Sequence, residues 1–318
     1  MTGSAPGGAR RSVRLGCGLG AAVALAGAVG IGIWALGLYR DGHDVLERVG
    51  HVVAVDSTEL GSVGPSRQFV LVLTSDAGTR TRLRLRVPRA GPVPRQLVVL
   101  IDGQGVGADA VDLLPEDAGT VVAAVDYPES FPTAIDVGDA FLRARSLRNA
   151  AMRVPASVML AIDHLARRPD VDTTRIAVIG SSLGVPAATI ATALEPRVDG
   201  LALIYGGGDL GRLIAANLSL RPAWLRGVVG AYGAWLLGPL EPTRYAGRVA
   251  PRPFVMINGS GDTRIPRASV EDLYRSAGSP KRLVWLDTGH LEPGDRGLIR
   301  ALVDSAVSRL PILSRTPD

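Results

Sequence analysis

The chain has 318 residues, which gives room for one sizeable domain with appended segments and does not require two. Apolar residues make up 47% and charged residues 20%, a balance that excludes a disordered chain and suits a protein with a substantial core. The net charge of +5 comes from scattered arginines with no basic run interleaved with aromatics, which argues against a nucleic-acid partner, and the lone Cys17 excludes an intrachain disulfide.

Residues 1–14 read as a cytoplasmic tail, and the stretch 15–39 that follows carries no charge between Arg14 and Arg40. Roughly 20 helical residues cross the hydrocarbon core, so 15–39 is predicted to be a transmembrane signal-anchor helix. Arg10, Arg11 and Arg14 precede it, whereas Asp41 and Asp44 follow Arg40. The positive-inside bias then gives a single-pass membrane protein with the domain that follows on the extracytoplasmic side. The alternative is secretion after signal cleavage near Ala24 or Ala26, but the apolar stretch runs past the length of an ordinary signal core. Cys17 is not expected to carry a lipid, because Arg14 stands where an aliphatic residue would be needed.

Residues 40–66 read as a stalk, interrupted by Gly61, Gly64 and Pro65. One large domain is expected over 67–310, with a small cap at about 206–250 and a short tail at 311–318. It opens with a hairpin, 68–74 and 81–87, around the turn 76–78. Continuous apolar runs at 96–101 and 120–125 predict strands buried on both faces. A helix over 155–168, a strand at 175–179 and a helix over 183–194 come next. Strands at 200–205, 253–257 and 282–286 and a closing helix over 296–310 complete the series. This alternation predicts an α/β fold: a doubly wound, mostly parallel sheet with an opening antiparallel hairpin. The 206–250 interval is too long for a simple crossover and includes Trp224, Tyr232 and Trp235. Ordinary helical packing accounts for it, and a small apolar cap over the site is the functional reading.

The chemistry concentrates in Gly180-Ser181-Ser182-Leu183-Gly184, placed between an apolar strand and an Ala-rich helix. A serine at the centre of so tight a strand-to-helix turn presents its Oγ at the carboxyl edge of the sheet, and flanking glycines avoid collisions with neighbouring elements. The Leu183 N–H at the helix start is positioned to stabilise an oxyanion. Ser182 is therefore the candidate nucleophile, and Ser181 is expected to be packed or hydrogen-bonded locally. A serine needs a base. Of the four histidines, His43 and His51 lie in the stalk and His164 within a helix, which leaves His290, directly after a strand. The imidazole needs an orienting carboxylate. Asp262 follows the 253–257 strand; Asp209 competes with it, while Asp272, Asp287 and Glu292 read as caps or solvated charges.

The order Ser182, Asp262, His290 resembles the α/β-hydrolase superfamily over about 67–310, and most closely its dienelactone hydrolase and prolyl-oligopeptidase-like esterases. The lead-in 171–176 with Asp172, the elbow, the glycine-rich turn 258–262 and Gly289-His290 carry the resemblance. Bile-acid acyltransferase and acyl-CoA thioesterase relatives share the architecture. The resemblance implies a serine hydrolase acting on a small acyl ester or thioester through an acyl-enzyme, with no metal or organic cofactor. Acyl transfer on the same triad, or a non-catalytic membrane-tethered binding module, are the alternatives. Where most relatives carry His-Gly after the 96–101 strand, this chain has Asp102-Gly103-Gln104-Gly105. Gln104 falls where the second oxyanion donor is expected, and a carboxylate at 102 would repel an oxyanion unless turned away. Residues 126–129 occupy a substrate-side loop position without an assigned role.

Overall fold

The computed structural model describes residues 27, 29–32, 45–103, 106–115, 119–129, 131, 137–290 and 295–310. The chain forms two compact units, Met1–His43 and Asp44–Asp318. Of the anticipated membrane span only residues 27 and 29–32 are described, and they are helical. The rest of 15–39 and both tails, 1–14 and 311–318, lie outside the described residues. Among the described residues no helix is long and apolar enough to cross a membrane.

The larger unit is built on a nine-stranded sheet of order β1-β2-β3-β5-β4-β6-β7-β8-β9. Strands β1 (Val52–Val63), β2 (Ser66–Ser75) and β3 (Arg80–Pro88) are antiparallel neighbours, and β3 also pairs antiparallel with β5 (Val121–Val125). From β5 onward, β4 (Arg95–Ile101), β6 (Val171–Ser181), β7 (Gly200–Ile204), β8 (Phe254–Gly259) and β9 (Lys281–Leu286) are all parallel. Successive side chains of a strand point to opposite faces. Leu97, Val99 and Ile101 of β4 accordingly enter one core layer and Val98 and Leu100 the other. Each such buried side chain contributes roughly 1.5–3 kcal/mol relative to exposure.

The expected stalk needs correction. Residues 52–63 are not a stalk but strand β1, the outer edge of the sheet. Both faces of β1 are exposed along most of its length, so its residues carry no burial period to read. Gly61, which read as a breaker, sits at a bulge with φ 116°. Two arginines of β3 make specific contacts. Arg86 is 2% exposed and donates to the Leu114 carbonyl at 3.0 Å and the Pro115 carbonyl at 2.8 Å. Arg82 pairs with Asp126 at 2.6 Å, a contact that gives the 126–129 segment a structural use.

Helices α1 (Val137–Leu142) and α2 (Ala144–Leu165) follow β5. The sequence placed the start of the second at Pro155, yet the helix runs through that proline. The buried Leu147, Ala151, Met152 and Val154 continue its core face upstream. Helix α3 (Val185–Leu194) follows β6 after a short 3-10 turn. Helices α4 (Leu210–Ala216), α5 (Trp224–Leu236) and α6 (Thr243–Ala246) fill the insertion between β7 and β8. Glu241 fastens its root, accepting from the N–H of Asp209 at 3.0 Å and of Leu210 at 2.8 Å. Trp224, Val228 and Trp235 on α5 remain exposed. Helices α7 (Arg267–Ser276) and α8 (Arg296–Ser308) close the unit.

Candidate active site

Parallel strands deliver their following loops to one rim of the sheet, and β6, β8 and β9 bring Ser182, Asp262 and His290 there. Ser182 has φ 48°, in the left-handed region that non-glycine residues rarely occupy. The turn is held in that shape from both sides. A Cβ on Gly180 would lie 2.4 Å from Cβ of Ala188, and one on Gly184 would lie 2.1 Å from the Ile101 carbonyl oxygen. Only glycines let β4, the elbow and α3 approach this closely. Leu183, 46% exposed, stands in the turn that opens into α3.

The loop after β8 sets the carboxylate. Asp262 Oδ1 accepts from the N–H of Arg264 at 2.8 Å and of Ile265 at 3.0 Å, which leaves Oδ2 facing His290 Nδ1 at 2.8 Å. The Asp262 side chain is 1% exposed and that of His290 10%. With Nδ1 held by the carboxylate, Nε2 is the nitrogen left to exchange a proton. Among the described residues no hydrogen bond joins the Ser182 hydroxyl to the His290 ring, and such contacts commonly tighten only when substrate binds.

Asp209, the competing carboxylate, serves another purpose. Its side chain caps α4 by accepting from Arg212 N at 3.0 Å and pairs with the Arg212 guanidinium. Asp272 is likewise taken by Arg212 and Arg275. His164 lies on α2, where burial and the neighbouring Arg168 and Arg167 depress its pKa, and His51 pairs with Asp76 on the hairpin side. His43 and Gln104 lie outside the described residues.

Asp102 directly follows β4 with its carboxyl turned inward: Oδ1 accepts from the Ser181 hydroxyl and from Gly103 N–H at 2.6 Å. Ser181 is thus hydrogen-bonded, but to a residue 79 positions away and not within its own turn. Burial raises the Asp102 carboxyl to about 6, with the Gly103 N–H opposing the rise.

Sequence reasoning missed Tyr205. It follows β7 with φ 52°, is 2% exposed, and sets its ring edge-on to His290 with centroids 5.6 Å apart. Its hydroxyl bonds that of Thr288, two residues before the histidine. Gly259 makes the approach possible, since a Cβ there would lie 2.5 Å from the Thr288 carbonyl oxygen and 3.0 Å from the Tyr205 ring. The only signal in the sequence was a lone aromatic between an apolar strand and Gly206-Gly207-Gly208.

No family model matches the chain, and comparison with curated proteins finds no match. Solved structures do resemble it. Acetyl xylan esterase 1 from Thermoanaerobacterium sp. JW/SL YS485 superposes with TM-score 0.64 at 18% identity, over 85% of this chain and 90% of that one. The acetyl xylan esterase from Paenibacillus sp. R4 gives 0.63 at 16% identity, over 86% and 93%. The α/β hydrolase GrgF from Penicillium sp. sh18 gives 0.50 at 15% identity, over 81% and 100%. The chain has the α/β-hydrolase fold. Identities this low speak to the fold alone.

Proposed function

We propose that the chain is a serine hydrolase that cleaves a carboxylic ester or thioester through an acyl-enzyme intermediate. One observation carries this reading. The 2.8 Å Asp262–His290 pair stands on the sheet rim where β6 delivers Ser182 at φ 48°. In the first step Ser182 Oγ attacks the acyl carbonyl while His290 Nε2 takes its proton and Asp262 stabilises the imidazolium. The N–H groups of Leu183 and Gln104 are the proposed oxyanion donors. His290 then protonates the leaving alcohol or thiol. Finally it draws a proton from water, which attacks the acyl-serine and restores the free hydroxyl.

Solved structures of this fold include acetyl xylan esterases and a methylesterase, BT1017, and we extend small-acyl esters to this chain on that likeness. The glycine-rich turn before Asp262 and the opening residues 171–176 of β6 favour the dienelactone-hydrolase-like branch. We also keep residues 15–39 as a membrane anchor with the catalytic unit outside the cytoplasm. Release of the full chain from membranes by alkaline carbonate would dismiss the anchor without touching the chemistry.

The test of the activity is labelling by a fluorophosphonate probe, together with hydrolysis of p-nitrophenyl esters of graded acyl length. Wild-type protein should label and turn over, and Ser182→Ala should do neither beyond the residual supplied by oxyanion donors. Full turnover in the Ser182→Ala protein would dismiss the assignment.

A further inference from the structure

Tyr205 is a buried side chain beside the candidate base that the cycle above does not use. It directly follows β7, and its N–H donates to the Ile257 carbonyl of β8 at 2.8 Å. The next carbonyl, that of Gly206, accepts from Nδ2 of the buried Asn258 at 2.9 Å. These two bonds pin the backbone before and after a residue with φ 52°. Such a conformation is costly for a residue with a Cβ and persists only where its surroundings over-determine it. Gly206, Gly207 and Gly208 come next and would bear it freely, yet the strained position carries a phenol. That phenol shares a hydrogen bond with the Thr288 hydroxyl, just beyond β9. Its ring stands at 86° to the His290 ring, with centroids 5.6 Å apart. Thr288 is also held from the other side, where its carbonyl accepts from the Gly261 N–H at 3.0 Å, one residue before Asp262. The segment that carries His290 is therefore gripped between the Asp262 loop and Tyr205.

We propose that Tyr205 is a positioning residue: through Thr288, and by its own contact with the imidazole, it sets the tilt of His290 so that Nε2 meets the Ser182 hydroxyl. The proposal rests on the reading of Ser182 as nucleophile and His290 as base. The Asp262 carboxylate does not fix that tilt by itself. A single hydrogen bond to Nδ1 holds one corner of the ring and leaves the opposite corner, Nε2, free to sweep an arc. Contacts away from that bond remove the freedom. The hydroxyl pair holds the backbone two residues before the ring, and the phenol stands as a wall that stops the imidazole turning towards β7. A proton passes only over hydrogen-bond reach, so a swing of about 1 Å slows the transfer while leaving substrate binding alone. Burial raises the Tyr205 phenol, with the Thr288 bond opposing the rise and the Asp262 charge adding to it. The hydroxyl accordingly stays neutral near pH 8 and takes no part in the proton transfer.

The test measures kcat and KM of the full chain for p-nitrophenyl acetate near pH 8, in wild type, Tyr205→Phe, Thr288→Val, Thr288→Ser, the Tyr205→Phe/Thr288→Val double variant and Ser182→Ala. Tyr205→Phe and Thr288→Val should each lose about fivefold in kcat with KM within about twofold, the size of one neutral hydrogen bond. The double variant should also lose about fivefold, since one shared bond is lost only once; independent effects would multiply to about 25-fold. Thr288→Ser keeps the hydroxyl and should stay within about twofold of wild type. A packing role would give the reverse order, because valine preserves the shape of threonine and serine leaves a methyl-sized gap. The two Thr288 variants alone decide the matter should Tyr205→Phe fail to fold. Wild-type kcat in Thr288→Val, a loss confined to KM, multiplied losses in the double variant, or Thr288→Ser as slow as Thr288→Val would each overturn the proposal. Full turnover in Ser182→Ala would remove the hydrolase reading and the positioning role with it. An inactive Ser182→Ala beside wild-type-like Tyr205→Phe and Thr288→Val would remove the positioning role alone.

Discussion

Asp102→Asn should change how the stability of the fold depends on pH, by an amount set by the burial of that carboxyl. The acid moves from its ordinary 3.8 to about 6 in the folded chain. Each unit corresponds to about 1.4 kcal/mol, so the ionised folded state carries a penalty of about 3 kcal/mol. The folded form holds its proton more tightly than the unfolded chain does. Between about pH 4 and 6 the native state therefore binds the extra proton, and stability falls as pH rises through that window. Below it both states are protonated and the penalty vanishes; above it the penalty is complete. At 9% exposure, solvent screening does little to reduce it. Asparagine is neutral throughout, and any cost of its amide is the same at every pH. The advantage of the variant over wild type should thus grow by about 2 kcal/mol between pH 4.5 and 8. Urea unfolding followed by tryptophan fluorescence, with equal m-values, measures this gap at each pH. A gap constant to about 0.5 kcal/mol would show that the carboxyl titrates as if in water and is not desolvated. The same substitution is then expected to stabilise the protein at neutral pH and above.

Three further outcomes follow from the geometry. Asp262→Asn should keep the fold, as read by circular dichroism, and lower kcat by about 10³- to 10⁴-fold, because an amide no longer holds the productive imidazole tautomer; near-wild-type kcat would assign the role to another acid. Tyr205→Phe removes the hydroxyl that bonds Thr288, and should cost about 1 kcal/mol of stability and several-fold in kcat, measured by urea unfolding and steady-state kinetics. Gly184→Ala places a methyl 2.1 Å from the Ile101 carbonyl oxygen and should cost about 3 kcal/mol or more, or prevent soluble expression; a stable, active variant would mean the elbow is free to move away from β4.

How far the sequence reads through to the structure depends on what each residue answers to. The strands at 96–101, 120–125, 200–205 and 253–257 were readable because burial on both faces leaves an unbroken apolar run, and they became β4, β5, β7 and β8. The elbow was readable because its constraint is local: two glycines and a serine within five residues, each needed for the turn itself. His290 emerged by elimination among four histidines, an accident of composition. By contrast β1 left no mark, since an edge strand exposed on both faces imposes no period on its side chains. Pro155 misled, because packing along the whole face of α2 outweighs the local cost of one proline.

What the chain by itself determined, then, is its α/β alternation, the elbow and the short list of residues able to do the chemistry. Tertiary structure alone paired His290 with Asp262 and Asp209 with Arg212, brought Tyr205 beside His290, and turned Asp102 onto Ser181, 79 residues away. The reason is physical. Hydrophobic period and turn chemistry record how each segment meets its own surroundings, whereas the meeting of loops at the rim depends on the order in which strands sit side by side.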